Sequence, residues 1–132
     1  MMFDRFLHQE CSILANCFVL SGKDKWNSED FVRKLFHTEW GLNILKGISI
    51  NEYACERFMY EGLVNYNKKT EGEVYPEKVL WYCGYLYRYI FAHSKCKPSE
   101  IYKKASLKKI AKRYGFYHTQ GWDYVLADLK LI

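Results

Sequence analysis

The sequence predicts an all-α fold: a compact bundle of six or seven helices around a central aromatic helix at about 76–93. Apolar residues recur at helical spacing along most of the chain, and no stretch alternates apolar and polar residues in the manner of a half-buried strand. The length of 132 residues suits one domain with its own hydrophobic core. We therefore expect a single domain over 1–132.

The predicted central helix is apolar or aromatic on almost every side, yet Arg88 lies in its middle. A helix that is hydrophobic all round belongs inside a core, so the other segments are expected to pack around it. Pro76 suits its first helical position, where the missing N–H has no cost. Because burying an unpaired guanidinium costs several kcal/mol, we expect Arg88 to pair with a core acid. Glu52, Glu56 and Glu61 are the candidates.

The N-terminal half is expected to hold two longer helices, a short helical piece and a further helix. Apolar spacing predicts the first helix over about 3–20, with Gly22 just past its end. Ser28 is the expected N-cap of the second helix. Ser49, with a glutamate three residues later, forms a capping box that opens the last of them. Residues 67–73 are polar and are the best candidate for a flexible connection.

The C-terminal half is expected to hold the central helix, a helix that restarts part-way along, and a last helix. Pro98 begins the second of these, with an acid in its first turn. Ser106 restarts it, and it is expected to end at Gly115. Thr119 is the expected cap of the last helix, which runs towards the C-terminus.

Cysteine spacing and hydropathy argue against several classes of protein. The five cysteines include no Cys-x-x-Cys pair and no secretory segment precedes them, so we expect reduced thiols in a cytoplasmic protein. Arg88 interrupts the only long apolar run, so no membrane span is expected. His93 and Cys96 are the nearest approach to paired zinc ligands, and no second pair completes them. We expect no metal and no cofactor.

The aromatic content is high for this length, at 18%, with twelve tyrosines, eight phenylalanines and four tryptophans. One interpretation is an aromatic-rich core. The other is a surface that grips a partner, because tyrosine and tryptophan bury large areas at interfaces with little loss of rotamer freedom. Both interpretations are open at the level of the sequence.

Arg88 and His93 form an Arg-x₄-His pattern, which resembles the motif of the HEPN family of small helical ribonucleases. The resemblance implies that Arg88 would hold the scissile phosphate and that His93 would take part in proton transfer. The sequence departs from the family at Tyr89, where a polar residue is usual. The alternative is that Arg88 pairs within the core and His93 merely ends its helix.

The segment 95–113 carries eight positive charges within nineteen residues, offset by Glu100 alone. Residues 107–116 resemble the first half of a helix-turn-helix unit, but Gly121 falls where the recognition helix needs a buried aliphatic residue. The alternative is a solvated helix face. If the segment binds nucleic acid, the contacting residues are expected to be Lys103, Lys104, Lys108, Lys109, Lys112 and Arg113.

Residues 114–129 carry a Tyr…His-Thr-Gln-Gly…Tyr…Asp pattern. It resembles the end of small uncharacterised bacterial helical proteins, and the resemblance covers about residues 79–130. Some of those proteins look like partners encoded beside ADP-ribosyltransferase-like toxins, which would imply an antitoxin or accessory role. The residues expected to contact such a partner are Tyr87, Arg88, Tyr117, His118 and Trp122.

Together these patterns favour a protein-binding module, antitoxin-like, that occludes a partner protein rather than catalysing a reaction. The alternatives are a HEPN-like ribonuclease using Arg88 and His93, and nucleic-acid binding through the basic segment 95–113. A purely structural role for His118 is also open, in which its imidazole bonds back to the core near Arg88 or Tyr87.

Overall fold

A computed structural model of the chain describes residues 5–47, 56–65 and 68–132. Over these ranges the chain forms eight α-helices and no strand, which confirms the all-α prediction and adds to the six or seven helices expected. The helices are α1 (Arg5–Lys23), α2 (Ser28–His37), α3 (Glu39–Leu45), α4 (Glu56–Asn65), α5 (Glu77–His93), α6 (Pro98–Lys104), α7 (Leu107–Tyr117) and α8 (Trp122–Asp128). None of these described helices combines the length and apolar character needed to cross a bilayer.

The predicted central helix is α5, and nine consecutive residues, 82–90, are buried in it. α1 runs along α5 as its most extensive partner, and α3, α7 and α8 also contact it. Gly84 marks the closest approach, because a Cβ there would lie 2.7 Å from the Cα of Ala15 and 2.8 Å from the carbonyl oxygen of Leu14. The absence of a side chain therefore lets the backbones of α1 and α5 pack together.

α1 ends at Lys23, beyond the predicted end near residue 20. Gly22 is thus inside the helix rather than just past it. A Cβ at Gly22 would lie 2.6 Å from Cδ1 of Leu80, so the glycine leaves room for a core side chain of α5. The hydroxyl of Ser21 donates to the carbonyl of Phe18, three residues earlier in the same helix, at 2.6 Å.

α2 is capped by Asn27, not by Ser28 as predicted. The Asn27 side chain accepts a hydrogen bond from the backbone N–H of Asp30 at 3.1 Å. Ser28 is buried instead, and its hydroxyl accepts from the backbone N–H of Tyr75 at 3.0 Å. A tertiary contact therefore uses the hydroxyl that the sequence pattern assigned to capping. The predicted capping box at Ser49 lies outside the described residues.

The described part of the predicted connection, residues 68–73, lies against the N-terminal end of α2. The backbone N–H of Asn27 donates to Thr70 at 2.8 Å, and that of Ser28 donates to Glu73 at 2.9 Å. These bonds satisfy two donors that the first turn of a helix leaves unpaired. The connection is therefore held to α2 through its backbone.

Two helix starts in the C-terminal half agree with the predictions. Pro98 is the first residue of α6, with Lys97 as its N-cap residue. The hydroxyl of Ser106 caps α7 by accepting from the backbone N–H of Lys109 at 3.2 Å.

The end of α7 and the start of α8 differ from the prediction. α7 continues through Gly115 to Tyr117, so the turn expected at that glycine is absent. α8 is capped by Gly121 rather than Thr119, whose hydroxyl donates to the Phe116 carbonyl at 2.7 Å. This geometry removes the tight turn on which the helix-turn-helix comparison depended.

Candidate functional site

Arg88 is buried in the middle of α5 and fully paired. Its Nε and Nη2 donate to the same carboxylate oxygen of Glu10, at 2.9 and 2.7 Å. Its Nη1 donates to the Leu45 carbonyl at the end of α3, at 3.2 Å. Gly47 has a φ of 80° and lies against the guanidinium, with only 2.8 Å between Cζ and the position of a Cβ. The arginine therefore joins three elements: α5, α1 and the end of α3.

The acid that pairs with Arg88 is not one of the three candidates from the sequence. Glu61 is exposed, and Glu52 and the side chain of Glu56 lie outside what the structure describes. The charge of Arg88 also acts on the neighbouring thiol of Cys11. Burial raises the pKa of Cys11 to about 12, with the positive charge of Arg88 opposing that shift.

His93 does not share a cleft with Arg88. Five residues along a helix turn the side-chain direction by about 140°, so the two residues of the Arg-x₄-His pattern point to different sides of α5. His93 packs its ring 4.4 Å from that of Tyr89 and lines an open cleft with Cys96 and Glu100. Arg88 points instead to Glu10 on α1. The structure does not bring the two proposed catalytic groups together.

Two of the residues expected to contact a partner lie in the core. Tyr87 is fully buried, and its hydroxyl donates to the Ala105 carbonyl at 2.8 Å. Tyr117 is 1% exposed, and its hydroxyl donates to Asp128. Both tyrosines hold helices together, and neither presents its ring to solvent.

His118 and Trp122 are accessible, unlike those tyrosines. The His118 ring is exposed, stacks on Tyr114 at 4.8 Å, and bonds through Nδ1 to the Tyr114 carbonyl at 2.8 Å. Its hydrogen bond is therefore to α7, not to the core near Arg88 or Tyr87. Trp122 is half-buried and covers the tyrosines of α5.

The rings of α5, α7 and α8 form a continuous aromatic stack. Trp81 lies 5.4 Å from Tyr85, Tyr85 lies 4.6 Å from Trp122, and Trp122 lies 5.1 Å from Tyr82, each pair within 30° of parallel. Tyr82 then meets Tyr114 edge-on at 5.5 Å. Aromatic pairs of this kind add to the free energy of burial, so much of the aromatic surplus stabilises the fold.

Trp81 is the exposed end of this stack and was missed in the sequence. It is 38% exposed, while the nine residues that follow it, 82–90, are buried. A spacing of four places Trp81, Tyr85 and Tyr89 on one stripe of the helix. That spacing is visible in the sequence, but only the packing of α8 decides which ring of the stripe remains uncovered.

An open groove of about 840 Å³ lies beside Trp81. We call it the α1–α5 groove, and its lining residues are Val19, Pro76, Glu77, Lys78, Trp81 and Tyr114. A smaller pocket adjoins it, shares Val19 and Glu77, and is also lined by Val74, which is 38% exposed. The lining is mainly apolar and carries one acid and one base. Such a surface can accept apolar side chains from another molecule.

The six basic residues of the proposed nucleic-acid face differ in their surroundings. Lys103, Lys108 and Lys112 are exposed, and their side chains have no partner among the described residues. Lys104 donates to a backbone carbonyl at the C-terminus, and Lys109 is half-buried. Arg113 is paired with Asp128 at 3.2 Å. Three of the six residues are thus both exposed and unpaired.

The thiols form no metal-binding cluster in the part of the chain that the structure describes. Cys11, Cys83 and Cys96 are free thiols, and only Cys96 of these is partly exposed. Burial raises the pKa of Cys83 well above its usual range, so the thiol is protonated at neutral pH. No cluster of three or more metal-binding side chains occurs among the described residues.

The α1–α5 groove with its exposed Trp81 is therefore the most developed candidate site among the described residues. Comparisons of the chain with protein families, with curated proteins and with solved structures found no significant match in any of the three.

Proposed function

We propose that the chain is a protein-binding module that occludes a partner protein with the α1–α5 groove. The exposed indole of Trp81 at the edge of that groove is the observation that supports it. Tryptophan is among the residues that most often dominate the binding energy of an interface. An accessible tryptophan beside an apolar groove is typical of such an anchor.

The packing of Trp81 favours tight binding. Its ring already stacks on Tyr85, which in turn stacks on Trp122. A ring held in place before binding loses little conformational entropy when a partner covers it. Val19 and Pro76 extend the apolar surface beside it.

The partner that this surface fits is an apolar segment of another protein. The groove contains Tyr114, which begins the segment that resembles antitoxin-like accessory proteins. Binding there would act by covering the partner's own surface, without a chemical step.

The free thiols of Cys11, Cys83 and Cys96 support a reducing compartment, and we propose that the protein is cytoplasmic.

The test uses the protein encoded by the neighbouring reading frame as the first candidate partner. The two are co-expressed, and their affinity is measured by isothermal titration calorimetry. Trp81→Ala is expected to weaken binding at least about thirtyfold, the effect of removing one interface hot spot. Phe116→Ala is the matched control, because Phe116 is 54% exposed but does not line the groove.

A wider search applies the same pair of variants to nuclease-treated extract of the native host. Proteins retained by the wild-type chain and by Phe116→Ala, but lost with Trp81→Ala, are specific to the groove. If no protein shows that pattern and the neighbouring product binds all three chains equally, the groove is not the binding site.

A further inference from the structure

Phe116 and Tyr124 form a second exposed aromatic pair, distinct from the stack around Trp81. Phe116 is 54% exposed and Tyr124 is 48% exposed, whereas most large apolar side chains in the described residues are buried. Their rings meet edge-on with 6.0 Å between centroids. Neither residue lines the α1–α5 groove. The proposed protein-binding surface therefore leaves both rings unexplained.

α7 also carries positive charges in line with Phe116. A spacing of four places Lys108, Lys112 and Phe116 on one stripe of the helix, over about 12 Å. Both lysines are exposed, and neither side chain has a hydrogen bond or ion pair within the described ranges. Gly115 adds no side chain between the lysines and the ring, and a Cβ there would meet nothing within 4 Å.

No acidic residue pairs with these lysines among the described residues. α7 itself contains none. Asp128 is paired with Arg113, and Asp123 accepts the hydroxyl of Tyr89 at 2.7 Å and contacts neither lysine. The stripe therefore combines unpaired cations with accessible rings.

We propose that Lys108, Lys112, Phe116 and Tyr124 form a binding site for single-stranded nucleic acid. The two ammonium groups match phosphates in charge, and the two rings offer faces on which bases stack. A single strand is the form that fits, because the bases of a duplex are already stacked on one another and cannot reach the rings. This site is independent of the proposed protein-binding groove and would add a second function to the chain.

The experiment is fluorescence anisotropy with labelled oligonucleotides of about 12 nucleotides, a length that a small site can cover. Single-stranded RNA, single-stranded DNA and the DNA duplex of the same sequence are compared at several salt concentrations. Both single strands are expected to bind more tightly than the duplex. A preference between RNA and DNA identifies which one the site takes, and binding of either supports the proposal.

The variants separate charge from stacking. Lys108→Gln/Lys112→Gln is expected to reduce the slope of log affinity against log salt by about 1.4, since each phosphate contact on a single strand contributes about 0.7. Phe116→Ala is expected to weaken binding about five- to hundredfold, the usual effect of losing one stacked base, with the salt slope unchanged.

The control is Lys23→Gln/Lys46→Gln, which removes the same charge from exposed lysines at the ends of α1 and α3. Circular dichroism confirms that each variant folds. No binding at low salt, equal loss with the control variant, or binding that Phe116→Ala leaves unchanged would each overturn the proposal. Preference for the duplex would do so as well.

Discussion

Arg88 and Glu10 are 78 residues apart in sequence, yet they form the ion pair that neutralises the buried guanidinium. An arginine in an apolar helix implies a partner, and the sequence could supply that inference. The identity of the partner depends on which face of α1 meets α5, which no local pattern specifies. The pair also argues against the ribonuclease interpretation of the Arg-x₄-His pattern, because the guanidinium that would hold a phosphate is already bonded to Glu10.

Arg88→Ala is expected to lower the free energy of unfolding by about 3–5 kcal/mol, since it leaves Glu10 partly buried and unpaired. Urea denaturation measures the loss. The double variant Glu10→Met/Arg88→Met is expected to regain part of it, because two apolar side chains leave no buried charge. An Arg88→Ala variant as stable as the wild type would contradict a structural role.

His93→Ala is the better variant for a ribonuclease assay, because it leaves the ion pair between Arg88 and Glu10 intact.

Two tyrosines of α5 allow a matched comparison of buried hydroxyls. Tyr82 has no hydrogen-bond partner for its hydroxyl among the described residues, whereas Tyr87 donates to Ala105 at 2.8 Å. Tyr87→Phe is expected to cost about 1 kcal/mol, and Tyr82→Phe is expected to be neutral or to stabilise by up to about 1 kcal/mol. Thermal and urea unfolding of both variants provide the measurement. Equal losses would mean that the Tyr82 hydroxyl is paired in solution.

At the scale of helices, the sequence located the elements better than their ends. Hydrophobic spacing identified α1, α2 and α5, because an apolar stripe persists over several turns. In the N-terminal half, two ends shifted because a tertiary contact used the expected capping or terminating residue. Ser28 bonds to Tyr75 instead of capping α2, and Gly22 makes room for Leu80 instead of ending α1.

Alanine substitutions at two helical glycines are expected to change stability in opposite directions, because one glycine faces the backbone of another helix and the other faces open space. Gly84→Ala is expected to lower stability by about 1–3 kcal/mol, because its Cβ would meet the backbone of Ala15 and Leu14, which cannot move cheaply. Gly115→Ala is expected to raise stability by up to about 1 kcal/mol, because its Cβ would meet nothing and alanine favours the helix. Urea midpoints distinguish them, and shifts of the same sign would be inconsistent with the packing described.

The start of α2 is held to the neighbouring connection through Asp30. Burial opposes ionisation of this carboxyl, but hydrogen bonds from Thr70, Lys34 and Arg33 outweigh it and lower the pKa to about 2. An acid whose pKa is lowered on folding stabilises the protein above its unfolded pKa of about 3.9, and the contribution is lost as the pH falls through about 2.

Asp30→Asn is therefore expected to lower stability by about 1 kcal/mol at pH 7, a modest effect because Arg33 is solvent-exposed. The difference from the wild type should close between about pH 4 and pH 2. Urea unfolding across that range tests it. A difference that stays constant with pH would mean that the carboxylate charge contributes nothing.

For the molecule as a whole, the two proposed surfaces lie on different sides of α7. Tyr114 lines the α1–α5 groove, and Phe116, two residues on, points about 200° away around the helix. Trp81→Ala is expected to leave single-strand affinity unchanged, and Lys108→Gln/Lys112→Gln to leave partner affinity unchanged. Each variant is measured in both assays. A loss in both assays from either one would show that the surfaces are coupled.

The sequence by itself determined that the protein is all-α and that its aromatic helix is central, because hydrophobic periodicity and the apolar character of a whole helix are set by residues close together in the chain. It also identified the cationic character of α7. Only the tertiary structure decided that Glu10 pairs with Arg88, that Tyr87 and Tyr117 are core residues, and that Trp81, Phe116 and Tyr124 remain exposed. The physical reason is that exposure depends on which helices cover a side chain, and that is set by contacts between residues far apart in the chain.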